Sequence, residues 1–195
     1  MMAYAATSSS MTSRMIRAAK LEVPLYEEVE ADVTATNQAL LVVLLVAVAN
    51  GIGQAIGASL EGNSAALVGR LIGGILQGLI GWAVWSYVVY FVGTRFFGGT
   101  ATYGELLRTL GFAESPSVLM IFSFIPVLGG ILALVVGIWT LVSSFIATRQ
   151  ALDIDNTKTV FTILIGIVAL ILVFIVVGIV MAIVFGLGAA AGRVF

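Results

Sequence analysis

Glu114 is the one carboxylate set well inside an apolar run of this sequence, two residues ahead of Pro116. An ionisable side chain at membrane depth is a functional candidate by default, since holding it there costs about 3 kcal/mol or more unless it is paired. Two chemistries fit: a proton or ion relay, and a hinge where Pro116 removes a helix hydrogen bond and frees a carbonyl. Arg108 is the nearest cation, about 9 Å away along a continuous helix, and Arg95 is the alternative partner. The plain alternative is an interfacial ion pair that snorkels to the surface. Asn50 and Gln54 lie four apart and share a helix face with Gly53 and Gly57. Gln77 lies beside the stripe Gly69, Gly73 and Gly81, Gly74 and Gly78 form a further pair, and Gly178, Ala182 and Gly186 repeat the pattern. Amides at that depth either line a polar passage with Glu114 or bridge helices that small residues bring close together.

Other chemistries lack their parts. The chain has no histidine and no cysteine, which removes the commonest general base, thiol nucleophiles and thiolate metal sites. Lys20 and Lys158 lie outside the apolar runs and cannot activate an intramembrane serine. Asp153-Ile154-Asp155-Asn156 imitates the start of a calcium loop, but Lys158 replaces the required Gly and Leu164 the closing Glu. It reads better as a loop in which Asn156 or Thr157 caps the last helix. Glu27, Glu28, Glu30 and Asp32 form an acidic cluster without ligand spacing, a solvated face by default. Arg14, Arg17 and Lys20 form the polar side of a short amphipathic element suited to an anionic membrane surface, or serve only to set topology. Trp82, Trp85, Tyr87 and Tyr90 crowd one apolar run and Trp139 another, as interface anchors or as packing for a lipid or pigment. No cofactor, no metal and no enzymatic activity are expected.

These residues must be positioned by a membrane-embedded body. Hydrophobic residues make up 61% of the 195 and charged ones 10%, against roughly half and a quarter in a soluble domain. The expected fold class is all-α: a polytopic integral membrane protein with five transmembrane helices. Residues 1–36 form a cytoplasmic segment with short amphipathic helices, and 37–195 the transmembrane domain, with spans at about 38–60, 71–93, 106–125, 127–147 and 160–187. The first apolar run begins near Ala39, too far in for an ordinary signal peptide. With the N-terminus inside, Arg14, Arg17, Lys20, Arg95, Arg108, Arg149 and Lys158 are cytoplasmic, and Arg70 and Arg193 are outside. Seven against two places the N-terminus inside and the C-terminus outside. A net charge of −1 points away from nucleic acid.

The segment Tyr26-Glu27-Glu28-Val29-Glu30 leading into Thr36-Asn37-Gln38-Ala39, the element Gly111-Phe112-Ala113-Glu114-Ser115-Pro116 and the five-span layout together resemble the Yip (Ypt/Rab-interacting protein) domain family in its short bacterial form. The resemblance covers roughly residues 14–187, with Gly111, Phe112 and Pro116 matching the family's Gly-aromatic…Pro element. It implies a non-enzymatic, multi-pass protein of the bacterial plasma membrane that acts through protein or lipid contacts; eukaryotic relatives act in vesicle trafficking. The expected partners are the lipid bilayer and either a membrane protein or a second copy of the chain. A scaffold or accessory subunit is the leading expectation. A small permease or channel component with a path through Asn50, Gln54, Gln77 and Glu114 is the alternative.

Overall fold

The structure, a computed structural model, describes residues 10–60, 62 and 67–191. Every regular element among them is helical: α1 (Met11–Ala19), α2 (Val23–Ala31), α3 (Ala35–Leu60), α4 (Leu67–Phe97), α5 (Tyr103–Ala113), a 3₁₀ segment (Ser115–Phe122), α6 (Leu128–Leu152) and α7 (Asn156–Ala191). Four helices are long and apolar enough to cross a membrane: Ala35–Leu60, Val68–Phe97, Leu128–Leu152 and Asn156–Ile183. They correspond to the expected spans 38–60, 71–93, 127–147 and 160–187.

The stretch 106–125 departs from the single helix expected of it. α5 ends at Ala113, Glu114 is its C-cap, and the chain continues as the 3₁₀ segment with Pro116 in its first turn. Proline has no N–H to give the carbonyl four residues back, here that of Phe112, and its ring clashes with it. The Ser115 hydroxyl donates to that carbonyl at 2.6 Å instead. At helical rises the 11 residues of α5 and the 8 of the 3₁₀ segment each reach about 16 Å. Neither alone spans about 30 Å of hydrocarbon. The start of α5 is well specified. Thr102 accepts from the Glu105 N–H at 3.3 Å, and the Glu105 carboxylate accepts from the Thr102 N–H at 2.7 Å, a reciprocal capping box.

Pro126-Val127 turns the chain into α6 within three residues. The Leu128 N–H donates to the Pro126 carbonyl at 2.7 Å around Val127 at φ 67° and ψ −51°, the rare γ-turn geometry that is strained for a side-chain-bearing residue. At the other end of α6, Asp155 rather than Asn156 or Thr157 caps α7, accepting from the Lys158 N–H at 2.9 Å. Asn156 instead accepts from Arg149 at 3.1 Å.

Burial is uneven. The core gathers where α1 and α2 meet α5 and the end of α6, around Leu25, Tyr26, Val29, Leu106, Phe112 and Leu152. The large apolar side chains of α7 from Phe161 to Ile183 are largely exposed. One face of α7 packs on α4 through Gly166 beside Trp85 and Val88, and the apolar surface left uncovered is built for lipid contact.

Candidate functional site

Two sites take shape, one at each level of the bundle. The first is the α1–α2 hairpin, fastened by three arginines. Arg14 is 2% exposed. Its Nε donates to Glu28 at 2.9 Å, one terminal nitrogen to Asp32 at 2.7 Å and the other to Gln38 of α3 at 3.0 Å. Arg17 donates to Glu22 at 3.1 Å and also to Glu28. The structure therefore turns Arg14 and Arg17 into α2 rather than outward to a membrane surface, and of the three expected surface cations only Lys20 is exposed. The acidic cluster is therefore solvated only in part: Glu28 and Asp32 receive those guanidinium groups, whereas Glu27 is exposed. The hydroxyl of Thr34, and then Arg14, hold the Asp32 carboxyl below the usual range against the opposing effect of burial.

Arg108 of α5, 5% exposed, fastens the hairpin from the other side. Its Nε donates to the Val29 carbonyl at 2.9 Å, a terminal nitrogen to the Glu30 carbonyl, and the other to Thr36 Oγ1 at 3.4 Å. These are last-turn carbonyls of α2, which have no partner inside the helix and sit at its negative end. All three guanidinium nitrogens are thus committed, and no ion pair joins Glu114 to Arg108 or Arg95 among the described residues. Tyr26 and Ser143 of α6 share a hydrogen bond of 2.6 Å. Burial pushes the Tyr26 phenol up to about 12 despite that bond, so it stays neutral. Gln150 donates to Glu27 at 2.6 Å, and Trp139 Nε1 to the Ala19 carbonyl at 2.7 Å. Trp139 therefore ties α6 to the C-terminal end of α1, and Trp82 likewise donates to Leu107 of α5 at 3.1 Å. Beside this junction Glu27, Glu30, Glu105 and Asp153 line a recess of 280 Å³. Burial first, then the charges of Asp153, Glu105 and Glu27, raise Glu30 to about 7, with Arg108 pulling the other way.

The second site lies deeper. Asn50 and Gln54 from α3, Gln77 from α4 and Glu114 from the α5 break line one cavity of 460 Å³, together with Trp82 and Phe174. All four polar residues expected along one path meet there. Among the described residues, no side-chain hydrogen bond within the chain engages Asn50, Gln54 or Gln77. Asn50 also lines a neighbouring cavity of 470 Å³ with Ser117, Thr140 and Ser144. The hydroxyls of Ser117 and Thr140 lie 3.0 Å apart and join the 3₁₀ segment to α6.

The small-residue positions divide into two groups. A Cβ at Gly53 would stand 2.6 Å from the Met120 carbonyl and from Ser123 Oγ, one at Gly78 3.0 Å from Ala47, and one at Gly57 3.8 Å from Phe124. Here backbones do approach closely. At Gly69, Gly73, Gly74, Gly81 and Gly178 a Cβ would meet nothing within 4 Å, so these glycines bring no helix against another. Ala182 is exposed, and Gly186 lies further along the same helix, α7. Gly111 is a contact that its stripe-free neighbourhood hides in the sequence: a Cβ there would lie 2.8 Å from Ala39 and 3.3 Å from Trp82. Phe112 beside it is wholly buried, and Pro116 makes the break. Arg193 lies outside the described residues.

An all-helical body with several bilayer-length apolar helices and a charged hairpin folded against one end defines a multi-pass membrane protein. The family model of the Yip1 domain matches residues 25–189, and the chain belongs to that family. No curated protein and no solved structure matches it.

Proposed function

We propose that the chain is a non-enzymatic scaffold or accessory subunit of a bacterial plasma membrane, working through helix–helix and lipid contacts with a membrane protein or a second copy of itself. In this reading α5 and the 3₁₀ segment together make a fifth crossing, the N-terminus is cytoplasmic and the C-terminus is outside. The carrying observation is the hairpin. Its guanidinium groups are spent internally on Glu28, Asp32 and the α2 carbonyls, which gives the cytoplasmic end one fixed shape, with Ile16 and Val33 left exposed on it. A preorganised surface binds without first ordering itself. Crosslinking in native membranes followed by mass spectrometry tests this: one dominant partner, or a homo-oligomer, is expected, with crosslinks from α1 and α2. A strictly monomeric particle with no crosslinked partner overturns it.

The cavity supports a second reading, a small permease, because Asn50, Gln54, Gln77 and Glu114 line a single space. It requires a liposome flux that Glu114→Gln and Asn50→Leu reduce while the fold persists. Flux equal to that of empty vesicles across ions and small solutes removes it.

A further inference from the structure

The 460 Å³ cavity has a composition that neither reading uses in full. It lies within the usual size range of small-molecule sites, about 300–1,000 Å³. Its lining combines three side-chain amides and the Glu114 carboxyl with the buried Val43, Val46 and Ala47, which precede Asn50 and Gln54 along α3. Gln54, Gln77 and Gly81 are exposed on the flank of helices α3 and α4, and Phe174 of α7 stands 72% exposed beside them. The opening therefore faces the side of the bundle, where hydrocarbon lies, and not an aqueous end. Amides without intramolecular partners are costly in hydrocarbon, about 1–3 kcal/mol each. Room has been left beside them. Gly74 and Gly81 both line the cavity, yet a Cβ on either would touch nothing, so their small size serves the space and not helix packing.

We propose that this cavity seats the polar head of an amphiphile that enters laterally from the bilayer: a head rich in hydroxyl groups and without net negative charge, as in a glycosylated diacylglycerol. Each amide both donates and accepts, and the carboxyl accepts, which matches hydroxyls that do the same. No Lys or Arg lines the cavity, so a phosphate would find no counter-charge there. The acyl chains stay outside, against Phe174 and the lipid-facing flank of α7. This inference does not depend on the hairpin acting as a docking surface, which uses other residues, and it needs no through path.

The test uses the full chain in phosphatidylcholine vesicles containing a diazirine-bearing monoglucosyl diacylglycerol, with diazirine-bearing phosphatidylcholine and phosphatidic acid in parallel. Photolysis and peptide mapping are expected to place the sugar-lipid label on α3 between residues 43 and 54, on α4 between 74 and 82, and near Phe174. Gly74→Leu fills the cavity and is expected to cut this labelling about tenfold. Gly73→Leu, with equal free space but outside the cavity, leaves it unchanged. Gln77→Leu keeps the volume, removes one amide and lowers labelling as well, so the outcome does not hang on one variant folding. Sugar-lipid labelling distributed like that of phosphatidylcholine overturns the proposal. So does labelling untouched by both cavity variants, and so does phosphatidic acid labelling these peptides as strongly. A solute flux with no lipid labelling overturns the amphiphile and keeps the permease; lipid labelling with no flux does the reverse.

Discussion

Single side chains decide how firmly the hairpin sits, and Arg108 is the one with no substitute. Removing its guanidinium leaves the Val29 and Glu30 carbonyls buried at the negative end of α2. Arg108→Met is expected to destabilise the protein by about 2–3 kcal/mol, read as a lowered thermal transition in detergent. Arg108→Lys recovers only part of this, because an ammonium cannot fork across two carbonyls and a hydroxyl. Glu30 makes the same junction sensitive to pH. Its carboxyl holds a proton up to about 7 in the folded protein, against an ordinary value of 4.5. Between those two values the folded state binds the extra proton, so stability falls as pH rises through this window and is level above it. Asp32, with its lowered value, acts oppositely and loses its contribution only as the solution becomes more acid than its ordinary 3.8. The thermal transition is therefore expected to drop from pH 5 to pH 8, and Glu30→Gln to flatten that decline; an equally steep decline in the variant counts against the assignment. Part of this was legible in the sequence. Arg14 and Arg17 at i, i+3 and Glu28 and Asp32 at i, i+4 mark complementary faces on two short helices. What hid the pairing was its distance along the chain, since spacing identifies a face but not what covers it. Gln38, Ser143 and Trp139 complete the hairpin from α3 and α6 with no local signal at all.

Among the elements, the α5 break was readable in kind and missed in extent. Composition alone treats residues 106–125 as one apolar run, and only Pro116 signals that the Phe112 carbonyl must find another donor. The grouping of Asn50, Gln54, Gln77 and Glu114 was legible because four-residue spacing fixes a shared face and polar groups within lipid converge inward. The glycine stripes were less informative, since a small residue fits equally well against a backbone or beside open space. This gives a paired expectation. Gly53→Leu drives a side chain into the Met120 carbonyl and Ser123 and costs about 3 kcal/mol, whereas Gly69→Leu changes stability by less than about 0.5 kcal/mol. Equal melting temperatures for the two variants would falsify the packing assigned here. At the turn into α6, Val127→Gly relieves the positive φ and raises stability by about 1 kcal/mol, measured the same way.

For the whole molecule, topology is the outstanding expectation, and the absence of cysteine makes it clean to measure. In right-side-out vesicles, a membrane-impermeant thiol reagent should label Ala191→Cys directly and Thr12→Cys only after permeabilisation. Labelling of both from one side would require an even number of crossings and leave α5 and the 3₁₀ segment folded back within one leaflet. The hairpin carries one more consequence, and it concerns time. Tyr26 finds its partner 117 residues later, at Ser143. At about 5–20 residues per second of synthesis, the first two helices wait on the order of ten seconds before α6 exists to receive them. Until Arg108 and then Ser143 emerge, the α1–α2 hairpin has its own ion pairs but neither of these later partners to dock on. The last bonds to close are those that hold the α1–α2 hairpin against α6, so its finished docking is a record that the later helices have been made.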